Sequence, residues 1–207
     1  MKQLYIVRHG ETQFNREKKV QGRGVNAPLN QTGQEQARAF FNHYKDEKFN
    51  KVYVSSLIRT YQSVESFINQ GIPHERLEGL DEISWGNKEG LAFEPDIHSH
   101  YLTTLEAWQR GELDQRIDGG ESPIEVMERQ KLAMKYILSK PDEEKVLICM
   151  HGRAIRILVC WMLGYPLQLM ESFGHSNLGL YVFNYTGGQL SMVTANDVSH
   201  LEGVELI

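Results

Sequence analysis

The sequence contains little cysteine or proline and has no excess of positive charge. Its 207 residues include two cysteines and six prolines, and 27 acidic side chains outnumber 22 basic ones. Cys149 and Cys160 form no CxxC pair and lie in apolar runs, so we expect buried thiols rather than a disulfide framework or a zinc site. The formal net charge of −5 argues against a general nucleic-acid binder, which needs a basic face, but allows a locally basic pocket.

The chain also has no long hydrophobic run. Its apolar stretches are far shorter than the roughly 20 residues that cross a bilayer. Its first residues enter a strand-like run directly, without the features of a signal peptide. We therefore expect a cytoplasmic protein with no membrane or nucleic-acid partner. The apolar residues between positions 162 and 170 are typical of core packing or of a homodimer face.

Strand-like and helix-like segments alternate along most of the chain. The strand-like segments are residues 3–7, 51–55, 145–150, 177–185 and 189–196. The helix-like segments are residues 32–44, 57–69, 102–110, 123–139 and 153–163. This alternation predicts an α/β fold of three layers, in which a mainly parallel sheet is flanked by helices on both faces. We expect a single domain over residues 1–207, with a lid insertion at about 84–122.

Two of the predicted helices begin with the S/T-x-x-E pattern of a capping box. In that motif the hydroxyl accepts from a backbone N–H three residues on, and the carboxylate accepts from the N-cap backbone. Thr32 with Glu35 has this spacing, and so has Ser122 with Glu125, where Pro123 also occupies the first helical position. The polar residues 12–30 predict a long loop, and residues 75–83 a short extended segment.

Three polar clusters follow predicted strands of the sheet. They are Arg8-His9-Gly10, Ser55-Ser56 with Arg59, and His151-Gly152-Arg153. The carboxyl ends of parallel strands share one edge, where ligands bind. A neutral histidine can accept a phosphoryl group, and arginine can hold phosphate oxygens through two parallel hydrogen bonds. The clusters thus predict phosphoryl transfer at this edge, with His9 as the nucleophile.

Six motifs, in this order along the chain, resemble the histidine phosphatase superfamily, the branch that contains cofactor-dependent phosphoglycerate mutases and their phosphatase relatives. They are Arg8-His9-Gly10-Glu11-Thr12 with Asn15, Pro28-Leu29 with Gly33, Ser55-Ser56-Leu57-Ile58-Arg59, Leu80-Asp81-Glu82 with Glu89-Gly90, the lid motif Gly119-Gly120-Glu121-Ser122, and His151-Gly152. The resemblance covers nearly the whole chain. It departs from the family pattern at Ser63, where threonine is usual, and at Asn87-Lys88, where an aromatic residue is frequent.

The resemblance implies a role for each matching residue. His9 would be phosphorylated, and Glu82 would protonate the leaving group and then activate water. The phosphate pocket would be formed by Arg8, Arg59 and His151. Further substrate contacts would come from Asn15, Gln21 and Gly22, and the polar run after His175 suggests Asn177 as another. The family needs no metal or other cofactor, and His98-Ser99-His100 without further ligands is typical of a solvated loop.

The function predicted from these residues is hydrolysis of a small phosphorylated metabolite, that is, a phosphomonoesterase. Two alternatives stay open: a phosphoglycerate mutase, and a non-catalytic module that binds phosphorylated ligands. Mutases of this family usually carry more basic residues in the lid than Lys88, Arg110 and Arg116. The substrate would depend on which lid side chains face the cavity, with Trp85, Tyr101, Trp108 and Arg110 as the candidates. We expect a bell-shaped pH profile, because His9 must be neutral and Glu82 protonated.

Overall fold

The computed structural model describes residues 1–92 and 95–204, apart from the side chains of residues 95–98 and 100. The described residues contain one six-stranded sheet with the strand order β3-β2-β4-β1-β5-β6. Its strands are β1 (Lys2–Arg8), β2 (Lys51–Val54), β3 (His74–Arg76), β4 (Lys145–Met150), β5 (Leu180–Thr186) and β6 (Gln189–Asp197). The first four run parallel to one another, whereas β5 pairs antiparallel with both of its neighbours, β1 and β6. The prediction of a mainly parallel sheet is confirmed.

Helices cover both faces of this sheet. They are α1 (Gln13–Arg16), α2 (Gln31–Tyr44), α3 (Ile58–Asn69), α4 (Pro95–Arg110), α5 (Pro123–Leu138) and α6 (Gly152–Leu163). Successive side chains of a strand point to opposite faces. Ile6 and Ile148 accordingly pack with Met134 of α5 and Leu158 of α6. Val7, Val52 and Cys149 instead pack with Phe40 of α2 and Val64 of α3. The fold therefore has the three predicted layers.

The helix ends confirm one predicted capping box and correct the other. At α5, the Ser122 hydroxyl accepts from the Glu125 N–H and the Glu125 carboxylate accepts from the Ser122 N–H, with Pro123 in the first turn. At α2, the N-cap is Asn30, whose side chain accepts from the Gly33 N–H. Thr32 lies within the first turn, and its hydroxyl accepts from Arg16. The predicted cap at Thr32 is therefore wrong, because Asn30, two residues earlier, already accepts from a backbone N–H of the first turn.

Two segments that lacked a clear pattern contain more structure than predicted. The expected loop over residues 12–30 includes the short helix α1, which begins with its own capping box between Thr12 and Asn15. The expected extended segment at 75–83 is the short strand β3 followed by a 3-10 turn at Glu78–Leu80. Elements as short as these span too few residues to produce an apolar periodicity in the sequence.

A third apolar cluster packs segment 84–122 against the rest of the protein. Trp85, Trp108 and Ile117 contact Val126 of α5 and Ile157 of α6. The side chains of Met162, Leu167 and Met170 are buried, so this stretch is mostly core, although Leu169 is 48% exposed. Among the described residues, no helix is long and apolar enough to span a membrane.

Candidate active site

The predicted polar clusters meet at one edge of the sheet. His9 follows β1, Ser55 follows β2 and His151 follows β4, and these three strands are parallel neighbours. The His9 N–H donates to the carbonyl of Met150, the last residue of β4, at 3.0 Å. The two imidazole rings lie 5.2 Å apart between centroids. Strand register thus brings together residues that are more than 140 positions apart in the chain.

His9 is held as a neutral imidazole with one free nitrogen. Its Nδ1 lies 2.7 Å from the Gly10 carbonyl oxygen, and because a carbonyl only accepts, Nδ1 carries the proton. Nε2 therefore presents a lone pair. Burial, together with the positive charges of Arg59 and Arg8, holds the pKa of His9 well below its usual value of 6.5. This combination suits a nucleophile, since protonation would remove the lone pair.

His151 has both ring nitrogens engaged. The Nε–H of Arg59 donates to His151 Nδ1 at 3.2 Å, which assigns the ring proton to Nε2. Nε2–H then donates to the Ser55 hydroxyl at 2.8 Å. Burial and the charge of Arg59 hold the pKa of His151 well below 6.5, so the ring is neutral. In this arrangement His151 orients the guanidinium of Arg59 beside His9.

Arg59 and Arg8 supply positive charge close to His9. Arg59 is fully buried, and its terminal nitrogens donate to the carbonyls of Val25 and Gly22 at 2.6 and 3.3 Å. Arg8 donates to the His175 carbonyl at 2.6 Å, whereas its buried Nε has no partner among the described residues. Burial lowers the pKa of each arginine to about 10, so both stay charged at neutral pH. A phosphate between them would satisfy the free donors.

Glu82 lies at the N-terminus of α6. Its Oε1 accepts from the N–H groups of Ile83 and Ala154, both at 2.9 Å, and its Oε2 accepts from that of Arg153 at 3.1 Å. The first backbone N–H groups of a helix have no intrahelical partner, so a carboxylate there is well placed. The side chain is 7% exposed and faces the same cavity as Arg8.

Arg129 anchors the segment that carries Glu82. From α5 its guanidinium donates to the carbonyls of Gly79, Asp81 and Glu82 at 3.1, 2.8 and 2.9 Å. It also pairs with Glu121 at 2.9 Å, and Glu121 accepts from the Ser84 N–H. Sequence reasoning missed this residue because a lone arginine on a helix is usually solvated. The capping box at the start of α5 placed the helix but gave no signal about its arginine.

The residues predicted to contact the substrate occupy different positions in the site. Asn15 and Gln21 line the cavity, and the Thr12 hydroxyl donates to Gln21 Oε1 at 2.7 Å. Gly22 lies behind Arg59, where an added Cβ would come within 2.7 Å of the Ile83 carbonyl oxygen. Asn177 donates to the His9 carbonyl at 3.0 Å and does not line the cavity. It therefore contacts the backbone of the nucleophile rather than the cavity.

A cavity of about 190 Å³ opens next to these groups. It is lined by Arg8, Asn15, Lys19, Val20, Gln21, Glu82, Trp85, Tyr101, Gly152, Arg153 and His175. Gly152 must be small, because a Cβ there would lie 2.9 Å from the His175 ring and 3.2 Å from Arg8 Nε. Of the lid candidates, Trp85 and Tyr101 face the cavity, Trp108 is buried in the third cluster and Arg110 is exposed.

Ser63 links the nucleophile loop to α3, a role that was not predicted. Its hydroxyl accepts from the Gly10 N–H at 2.9 Å and donates to the Arg59 carbonyl at 2.7 Å. The side chains of His98 and His100 lie outside the described residues. Within the described part of the chain, no group of three or more histidine, cysteine, aspartate or glutamate side chains could hold a metal ion.

Comparisons with known proteins agree with this geometry. The family described as the histidine phosphatase superfamily (branch 1) matches residues 4–198. A probable phosphoglycerate mutase GpmB from Cronobacter sakazakii is 33% identical over 100% of this chain and 98% of its own length. The fructose-2,6-bisphosphatase TIGAR B of Danio rerio is 34% identical over 73% of this chain and 57% of its own length.

Similarity extends to solved structures. The structure of Bacillus stearothermophilus YhfR superposes with a TM-score of 0.85 at 26% identity, over 97% of this chain and 100% of that one. Its match covers the sheet and both helical layers described above. The chain therefore belongs to branch 1 of the histidine phosphatase superfamily.

Proposed function

We propose that this protein is a phosphomonoesterase that hydrolyses a small phosphorylated metabolite through a phosphohistidine at His9. The observation that carries the proposal is a neutral His9 whose Nε2 lone pair is free, with the charges of Arg59 and Arg8 close by. Preorganised charge of this kind acts where negative charge develops in the transition state. Phosphoryl transfer depends mainly on such positioning and electrostatic stabilisation.

The reaction has two steps. In the first, His9 Nε2 attacks phosphorus, the P–O bond to the leaving group breaks, and Glu82 donates its proton to the departing oxygen. In the second, water attacks the phosphohistidine, Glu82 takes the proton of that water, and the N–P bond breaks to release inorganic phosphate. Together the two steps restore the starting state of the enzyme. Neither step needs a metal ion or a second substrate besides water.

The remaining predicted residues have supporting roles in this proposal. Asn15 and Gln21 contact substrate oxygens, and Gly22 gives the backbone room beside Arg59. Asn177 fixes the His9 backbone. Segment 84–122 acts as a lid that covers the leaving group, since its residues Trp85 and Tyr101 form one wall of the cavity.

A phosphoglycerate mutase is the second candidate, favoured by the similarity to GpmB over the whole chain. A mutase returns the phosphoryl group to bound glycerate and needs basic residues for the other anionic groups of its substrates. The three cations of the lid segment do not line the cavity, and the side chains of Arg110 and Arg116 are 57% and 53% exposed. The described part of the lid thus places no cation at the cavity for a second anionic group, which favours the phosphatase; the cations that line the cavity, Arg8, Lys19 and Arg153, come from other segments.

The test is a phosphate-release screen over phosphorylated metabolites with wild type and two variants. We expect release by wild type and by His74→Ala, which alters an exposed histidine, and none by His9→Ala. An acid-labile phosphoryl group should appear on His9 during turnover. No release from any substrate, but phosphoryl exchange between the phosphoglycerates, would support the mutase instead. Binding of phosphorylated ligands without an adduct would support the non-catalytic module.

Two further predictions concern the setting of the enzyme. Cys149 and Cys160 are buried free thiols, which is typical of a reducing compartment and supports a cytoplasmic location.

The exposed side chains of Tyr165 and Leu169 would suit a homodimer contact. Sedimentation of the purified protein measures the oligomeric state directly.

A further inference from the structure

Arg153 extends the active site beyond the phosphate pocket. It directly follows the His151-Gly152 pair, and its backbone N–H binds Glu82. Its side chain lines the cavity and is 6% exposed. In the proposed reaction, the leaving group is the part of the substrate that receives the Glu82 proton. Arg153 therefore adjoins the residue that would protonate the leaving group.

The guanidinium of Arg153 is held in one orientation by its surroundings. It pairs with Glu171 and donates to the Tyr101 hydroxyl at 3.3 Å. Its central carbon lies 5.9 Å from the Trp85 ring centroid and 5.7 Å from that of Trp108. A guanidinium has five N–H donors, and two of them have these partners. The other three have none among the described residues.

The charge around Arg153 is not balanced. Glu171 is shared between Arg153 and Arg156, so in the part of the chain that the structure describes two guanidinium groups pair with one carboxylate. Glu82 is the only carboxylate that lines the cavity within the described residues, and its two oxygens accept from backbone N–H groups and not from the guanidinium of Arg153. His175 also lines the cavity and is affected by the same positive charges. Burial, and then the charges of Arg8, Arg156 and Arg153, lower its pKa to about 2. Among the described residues, one guanidinium charge on this side of the cavity is thus left without a carboxylate of its own.

We propose that Arg153 binds a carboxylate on the leaving group, so that the preferred substrates are small phosphorylated carboxylic acids. This inference rests on the proposed phosphatase function. A carboxylate matches both the single surplus charge and the planar donors of arginine.

The test uses substrate pairs that differ by a carboxylate. O-phosphoserine is compared with O-phosphoethanolamine, and 3-phosphoglycerate with glycerol 3-phosphate. The readout is the ratio of kcat/KM within each pair. Wild type should favour the carboxylate about ten- to a hundredfold, which is typical of a charged hydrogen-bonded contact. Arg153→Met, which keeps the unbranched stem and the backbone N–H, should bring the ratio close to one, and Arg153→Lys should restore part of it.

Controls separate this inference from the proposed function. Arg110→Met removes an exposed arginine outside the cavity and should keep the wild-type ratio. Phosphate release without preference within either pair would overturn the role of Arg153 and leave the phosphatase intact. Equal losses on both members of a pair in Arg153→Met would also overturn it. A stronger preference for sugar bisphosphates would overturn the carboxylate as the ligand, whereas no phosphate release from any substrate would overturn the phosphatase itself.

Discussion

Replacing Glu82 by glutamine separates the two halves of the proposed reaction. The carboxylate accepts three backbone N–H groups, two at Oε1 and one, from Arg153, at Oε2. In Glu82→Gln the amide oxygen can take the place of Oε1, but the NH₂ group then faces the Arg153 N–H. One buried donor loses its acceptor, at a cost of about 1–3 kcal/mol. For a chain of this size the melting temperature should fall by roughly 2–4 °C per kcal/mol.

The kinetic effect should depend on the leaving group. An alkyl alcohol leaves as a strong base and needs the proton of Glu82, so kcat for an alkyl phosphate should fall by about 10²–10⁴. A nitrophenol leaves without that proton, so formation of the phosphohistidine from p-nitrophenyl phosphate should fall by less than about tenfold. Hydrolysis of the intermediate still needs the base. Glu82→Gln should therefore release one burst of nitrophenol per enzyme and accumulate phosphorylated His9.

Stopped-flow absorbance measures the burst, and phosphate release measures the steady state. Glu78→Gln is the matched control, because Glu78 is 83% exposed and contacts only Arg23, at 3.9 Å, among the described charges. It should behave as wild type in both assays. Equal losses on the alkyl and the aryl substrate, with no burst, would refute the role of Glu82 as acid and base.

Three other expectations concern positioning and stability. Arg129→Gln should lower kcat roughly ten- to a hundredfold with a smaller change in KM in steady-state assays, because Glu82 loses its anchor; an equal rise in KM would contradict this. Ser122→Ala should cost about 1 kcal/mol in urea unfolding through the lost cap, and a change near zero would refute the cap. Burial lowers the native pKa of His200 to about 4 from 6.5, so protons favour the unfolded chain below pH 6.5. Wild type should therefore lose up to about 2 kcal/mol more stability than His200→Gln when the pH falls from 6.5 to 5.

The order of strands and helices was readable from local patterns alone. The apolar run at residues 145–150 matches β4 residue for residue, and Ser122-Pro123 marks the start of α5 correctly. Strand alternation and helix caps depend on residues within a few positions of each other, so a single sequence carries that information. The same holds for the approximate location of the site, since His9 and His151 directly follow parallel strands.

Contacts between distant segments could not be read in this way. The proton positions on His9 and His151 depend on Gly10, Arg59 and Ser55, and only the fold brings Arg59 and Ser55 to His151. Trp85 and Trp108 were both candidates for the cavity wall, yet Trp85 lines the cavity whereas Trp108 does not.

The sequence by itself determined five of the six strands, most helices and the residue types at the strand ends, because each depends on neighbours along the chain. The tertiary structure decided which charged groups lie next to each other. Arg129 and Arg153 show this, because their partners Glu82, Glu121 and Glu171 come from other segments. Electrostatic interactions act through space and fall with distance, so their strength is set by the fold and not by separation along the chain.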